Sequence, residues 1–222
     1  LAGGVPREAP PWPTLMEVLR RLGAHGAPDP AAFEVDPDVA PYRGLETFGD
    51  TDGDAAVFFG RGRELVELLE ILRARRVNAD PRALVVTGPS GAGVSSFVRA
   101  GLLPRLRREA PGWIVLPGAE VSHPPPLGWA RGLARVFGDA GRPEDPEALR
   151  DGLLEAWRRD RLAAHLAGLA AALRAAAERP DAAILVAGDG HDAADASEGA
   201  RAFRAAIAAS DPAAWRWLLT AR

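Results

Sequence analysis

Apolar positions in this chain recur with two periods. Spacings of three and four place Leu65, Leu68, Leu69 and Leu72 on one helical face, with Glu64 and Glu67 early and Arg73, Arg75 and Arg76 late, as the helix dipole prefers. The same period groups Trp129, Leu133, Val136 and Phe137, then Leu149, Leu153 and Trp157, then Leu162, Leu166, Leu169 and Leu173. Asp145-Pro146 reads as N-cap and N1 of the second of these groups, and Ser197 as the cap of a helix carrying Phe203 and Ile207. Leu149 to Leu173 predicts one or two long core-facing helices. Between the periodic segments lie short continuous apolar runs: Ala83 to Val86 closing on Thr87, Trp113 to Leu116, Ala183 to Ala187, and Trp215 to Thr220. Continuous runs of that length suit strands covered on both faces. Strands alternating with helices predict an α/β fold with a parallel sheet and right-handed crossovers. No internal repeat is visible.

Ahead of this region the pattern thins. Residues 1–13 and 24–41 are rich in Pro, Gly, Ala and Asp and read as linker. Between them Thr14 and Glu17 form a capping box before Leu15, Val18, Leu19 and Leu22, a short amphipathic helix expected to pack on the main core or on a neighbouring domain. The chain thus divides into a linker with one helix, 1–40, and a domain, 41–222. It starts at Leu1 and is expected to be a piece of a longer protein. A net charge of −3 offers no electrostatic footprint for nucleic acid. Absence of cysteine removes disulfides and thiolate metal sites. The apolar segment 162–173 is interrupted by His165 and is too short to span a bilayer. With no secretory signal at the start, the expected compartment is the cytoplasm.

The chemistry-bearing stretch is RALVVTGPSGAGVSSFVRA, residues 82–100. An apolar run gives way to Gly88, Pro89, Ser90, Gly91, Ala92 and Gly93, and a helix begins near Val94. A glycine-rich turn of this kind aims backbone N–H groups inward and sets a helix N-terminus behind them, which together hold a phosphate. The phosphate-loop pattern then requires Lys followed by Ser or Thr. Here that pair is Val94 and Ser95: the hydroxyl for a metal is present and the lysine is not. All 27 basic residues are arginine, so no lysine elsewhere in the chain can replace it. With 24 glycines, about two or three such spacings arise by chance, so a plain glycine turn between a core strand and a helix stands as the bland alternative.

Four stretches resemble the novel STAND NTPase modules of large bacterial signalling and defence proteins. They are PYRGLETF at 41–48, FFGRGRE at 58–64, VVTGPSGAGVSSFVRAGLLPRL at 85–106 and WLLTAR at 217–222. The RAGLLP tail of the third is much more specific than its glycine spacing. The resemblance implies a P-loop NTPase-like three-layer sandwich with a mostly parallel sheet, truncated after the fourth core strand. It implies ATP or ADP with Mg as ligand, bound by Gly88 to Ser96, with Phe59 and Arg61 on the base or ribose side and Arg222 as a sensor arginine. Upstream effector domains, downstream sensor domains and homo-oligomers are the partners it implies. The departures bear equally on function. Val94 stands at the family's lysine, and GDGHD at 188–192 stands where the family's strand ends in Asp-Gln-Phe-Glu-Glu. Without a gap, Gly188 takes the magnesium-linked position. With a shift of one, Asp189 takes it beside Ser95 but Gly190 replaces the second acid, and Asp192 serves only if the loop bends. A degenerate module with weak or no nucleotide is therefore the expectation, a ligand-free module being equally open. The alternative is a working switch using Arg61, Arg99, Arg222 or a partner subunit, and a third class is a pure interaction module.

Overall fold

The computed structural model describes residues 44, 46–109, 111–116, 127–188 and 197–221. Helices α1 (Asp52–Val57) and α2 (Gly62–Val77) precede strand β1 (Leu84–Thr87). A continuous helix, α3, follows in three parts: Val94–Ser96, a π-helical stretch Phe97–Leu102, and Leu103–Arg108. Then come β2 (Trp113–Val115), α4 (Leu127–Asp139), α5 (Pro146–Arg158), α6 (Leu162–Ala176), β3 (Ala183–Gly188), α7 (Glu198–Ala209) and β4 (Trp215–Ala221). The four strands form one sheet in the order β1-β4-β3-β2, parallel throughout, with Leu84 beside Leu218, Ile184 beside Trp215 and Trp113 beside Ala183. The 14–22 helix lies outside the described residues.

Side-chain alternation along the strands builds two cores. Ile184, Val186, Trp215, Trp217 and Leu219 face α4 to α7, whereas Leu185, Ala187, Leu218 and Val115 face α2 and α3. That is the expected three-layer sandwich. In the first layer Trp129, Phe203, Trp215 and Trp217 meet mainly edge to face at 5.3–6.1 Å between ring centres, a geometry the ring quadrupole favours. In the second, Leu65, Leu68, Leu69 and Leu72 of α2 are all buried, as their spacing predicts. The Ala-rich region resolves into two helices, α5 and α6. Asp145 caps α5 through the Glu147 and Ala148 N–H groups, and Ser197 caps α7 through that of Ala200.

Helix α1 was not expected, although its signal is in the sequence. Thr51 Oγ1 accepts from the Asp54 N–H at 3.1 Å while Asp54 Oδ2 accepts from Thr51 Oγ1 at 2.9 Å and from the Gly49 N–H at 3.1 Å. Thr51 is thus the N-cap of a helix of only six residues, and the T-x-x-D pair holds its first turn.

The RAGLLP segment has a physical explanation. Pro104 has no N–H to offer the Ala100 carbonyl one turn back, and its ring crowds that carbonyl. The helix answers by widening: the Leu103 N–H reaches Val98 O, a π-type bond. The buried Arg105 guanidinium then donates to the Gly101 carbonyl, and to that of Ala100 at 3.5 Å. Gly101 lets α3 approach α2, since a Cβ there would lie 2.8 Å from Leu65 Cδ2 and 3.1 Å from Phe58 Cε1. Gly101→Ala is expected to cost about 1–3 kcal/mol by overpacking. A urea midpoint indistinguishable from the parent would refute the close-approach account.

His165 is half-buried on α6 and packs near Gly152 of α5, where an added Cβ would sit 3.4 Å from its Cε1. Burial holds its imidazole below the ordinary value of 6.5. The unfolded chain therefore binds this proton at a higher pH than the folded one. The stabilisation is complete above about pH 6.5 and declines as the pH falls through that value toward the folded pKa. A His165→Gln chain is expected to lose less melting temperature than the parent between pH 7.5 and 5.5.

Candidate functional site

β1 ends at Thr87 and α3 begins at Val94, so the glycine-rich stretch spans the gap between the sheet and a helix N-terminus. Gly91 and Gly93 take left-handed backbone angles, φ 81° and 75°, which residues with a Cβ adopt reluctantly. The Ala92 N–H closes a turn onto Pro89 O at 3.0 Å, and the Phe97 N–H reaches Gly93 O at 2.8 Å as α3 starts. Among the described residues no acceptor is assigned to the Gly93 or Val94 N–H. Gly88, Pro89, Ser90, Gly91, Ala92, Gly93, Val94 and Ser95 thus form one strand–loop–helix corner. The half-buried Val94 side chain folds back over the loop: a Cβ on Gly88 would lie 2.8 Å from Val94 Cγ2 and 3.5 Å from Ala92 Cβ. A branched apolar group therefore covers the first glycine where a lysine stem would otherwise run.

The two serines that follow differ. Ser96 Oγ accepts from the Phe48 N–H at 3.2 Å, so it anchors the segment leading into α1. That segment is tied again farther along α3, where Arg107 donates to the Asp50 carboxylate and, at 2.6 Å, to the Asp50 carbonyl. Ser95 occupies the first turn of α3, half-buried, at the position where a hydroxyl would reach a metal. The sequence grouped both serines as ligand contacts; nothing in the linear pattern distinguishes the one that holds a distant backbone N–H.

The FFGR box also resolves into separate parts. Phe58 is packed, edge to face with Phe48 at 6.0 Å and against α3 at Gly101. Phe59 is 70% exposed. Arg61 reaches the loop: its Nη2 donates to the Ala92 carbonyl at 2.6 Å, thirty-one residues away in sequence. Arg99 lies on the π-helical stretch of α3, half-buried. Asp189, Asp192 and Arg222 lie outside the described residues.

These residues fit a nucleotide phosphate in part. Backbone N–H groups, a helix start and the Ser95 hydroxyl suit a phosphate and a magnesium ion, whereas the position that should supply a lysine carries a hydrocarbon. Among the described residues no group of three or more His, Cys, Asp or Glu side chains is placed to hold a metal by itself. No helix among them is long and apolar enough to cross a membrane.

No curated protein and no solved structure matches the chain. A family match does, to Novel STAND NTPase 1, over residues 41–187. It begins with the PYRGLETF stretch and runs through the loop to β3, about two thirds of the chain, and with the all-parallel β1-β4-β3-β2 sheet it shows that the chain belongs to the Novel STAND NTPase 1 family.

Proposed function

We propose that this domain is a regulatory or scaffolding STAND-type module that has lost efficient nucleotide hydrolysis and keeps weak nucleotide binding at most. The observation that carries this reading is Val94 at the lysine position, in a chain with no lysine. A hydrogen bond to a charged group contributes about 1.5–3 kcal/mol, and truncating one buried partner of a charged pair costs roughly 2–5 kcal/mol. At about 1.4 kcal/mol per decade, loss of the lysine weakens triphosphate binding by roughly tenfold to a few thousandfold. The loop's N–H groups and the helix end remain, which leaves room for a diphosphate. Hydrolysis requires more, because charge builds in the transition state and a water must be positioned. The GDGHD stretch has two acids, Asp189 and Asp192, separated by Gly190 and His191, so no second acid follows Asp189 directly.

In this reading the module links an upstream effector to a downstream sensor in a larger signalling or defence protein and works through its conformation or assembly. The competing reading is a working switch in which an arginine or a partner subunit supplies the charge. Arg61 supports it only by proximity, since its guanidinium donates to a loop carbonyl. Incubation with magnesium and ATP, following phosphate release, separates the two. Release slower than about one per minute is expected, and faster turnover would sink the proposal. Calorimetry that detects neither ADP nor ATP at millimolar concentration would instead favour a pure interaction module.

A further inference from the structure

We propose that Arg61 is a positioning residue of the phosphate loop: it holds the Ala92–Gly93 peptide so that the Gly93 N–H faces the anion, and is not itself a phosphate ligand. The inference rests on the phosphate-loop reading above and assigns a role within it.

A trans peptide is planar, with its C=O and N–H pointing in opposite directions. Arg61 Nη2 donates to the Ala92 carbonyl at 2.6 Å, so the Gly93 N–H of that same peptide is directed away from the guanidinium. This N–H has no assigned acceptor among the described residues, and it precedes α3, where N–H groups carry partial positive charge. Gly93, at φ 75°, is the joint about which this peptide plane could turn. Glycine lowers the cost of adopting that angle and equally the cost of leaving it. A charged donor fixed to the carbonyl side removes that freedom. Arg61 is suited to the task because it sits immediately before α2, whose buried leucines anchor it to the core. Rigid support from a distant element is what a flexible, exposed glycine loop lacks.

A phosphate ligand and a peptide holder predict different consequences. The direct probe is the Gly93 amide resonance of the ligand-free chain. Arg61→Ala is expected to shift it, while Arg61→Lys and Arg61→Gln, which keep a donor, retain most of the parent value. An unmoved resonance in a folded Arg61→Ala chain would overturn the proposal. The second probe is titration of ADP and ATP into the chain carrying Val94→Lys. Arg61→Ala there should weaken both nucleotides alike by about tenfold, with Arg61→Gln close to the parent. Selective loss of ATP, or Arg61→Gln as damaging as Arg61→Ala, would show a ligand for the terminal phosphate and overturn it too. If the Val94→Lys chain binds neither nucleotide at millimolar concentration, the phosphate-loop reading fails together with the anion-facing part of this proposal. The Gly93 resonance still reports separately whether Arg61 holds the peptide.

Discussion

Replacing Val94 by lysine is expected to tighten ATP binding by about tenfold to a few thousandfold, the inverse of the loss assigned to its absence. The backbone at this corner is already arranged: Gly93 is left-handed, α3 starts directly behind it, and the Gly93 and Val94 N–H groups have no assigned acceptor among the described residues. Lysine lacks the branch that Val94 presses against Gly88, so its stem can follow the same path with less crowding. The ammonium then extends past the loop toward the β- and γ-phosphates. ADP should gain less than ATP, because one of the phosphates the lysine reaches is missing. Isothermal calorimetry with both nucleotides measures the effect. No gain for either would mean that the loop no longer cradles phosphate, and the weak-binding part of the proposed function would fall with it.

Removing the guanidinium from the sheet should be the most damaging change to stability. Arg216 lies in β4, only 3% exposed, on the face toward α2. It donates to the carbonyls of Arg75 at 3.0 Å and Arg76 at 3.1 Å, to Trp215 O at 2.7 Å, and to Pro212 O. Arg75 and Arg76 belong to the last turn of α2, where their carbonyls also accept from the Asp80 N–H at 3.1 Å and the Ala79 N–H at 3.4 Å, so the guanidinium takes up their remaining lone pairs. A strand residue thus caps a helix C-terminus from inside the protein. Burial pushes the guanidinium below its ordinary pKa, although it stays cationic at neutral pH. Arg216→Met preserves much of the stem but removes a charged donor from four carbonyls, those of Arg75 and Arg76 keeping only their backbone N–H partners, at a total cost of about 2–5 kcal/mol. Arg216→Lys should recover only part, since one ammonium cannot span the same spread of acceptors. Denaturant melts of the three chains give the values. A loss for Arg216→Met below about 1 kcal/mol would show that backbone N–H groups and water satisfy these carbonyls without the guanidinium.

Much of the candidate site was legible because its signals are local. The apolar run before Thr87, the glycines at 88, 91 and 93, and the change to helical period after Val94 identify a strand, loop and helix without tertiary information. The missing lysine is equally a matter of reading one position. Less legible were the partners of that loop. Arg61 in FFGRGRE reads as a base- or ribose-side contact, and the fold adds a bond from its guanidinium to Ala92 O that the sequence does not signal. Ser96 reads as a companion to Ser95, but it holds the Phe48 N–H. Each bond joins residues at least thirty-one positions apart, a separation at which periodicity and composition carry no signal.

The sequence by itself determined which segments become strands and helices, which face of each is apolar, where Asp145 and Ser197 start their helices, and that Val94 stands where the phosphate-loop pattern has lysine. These are properties of a few consecutive residues, set by side-chain volume, backbone freedom and hydrogen-bonding capacity. Only the tertiary structure decided that β4, last in the chain, sits between β1 and β3. It alone revealed that an arginine in an otherwise apolar strand serves a helix end, and that Pro104 widens α3 where it approaches α2. Strand order depends on which hydrogen-bonding edges meet and which apolar faces must be covered together, a property of the assembled sheet that no single segment expresses.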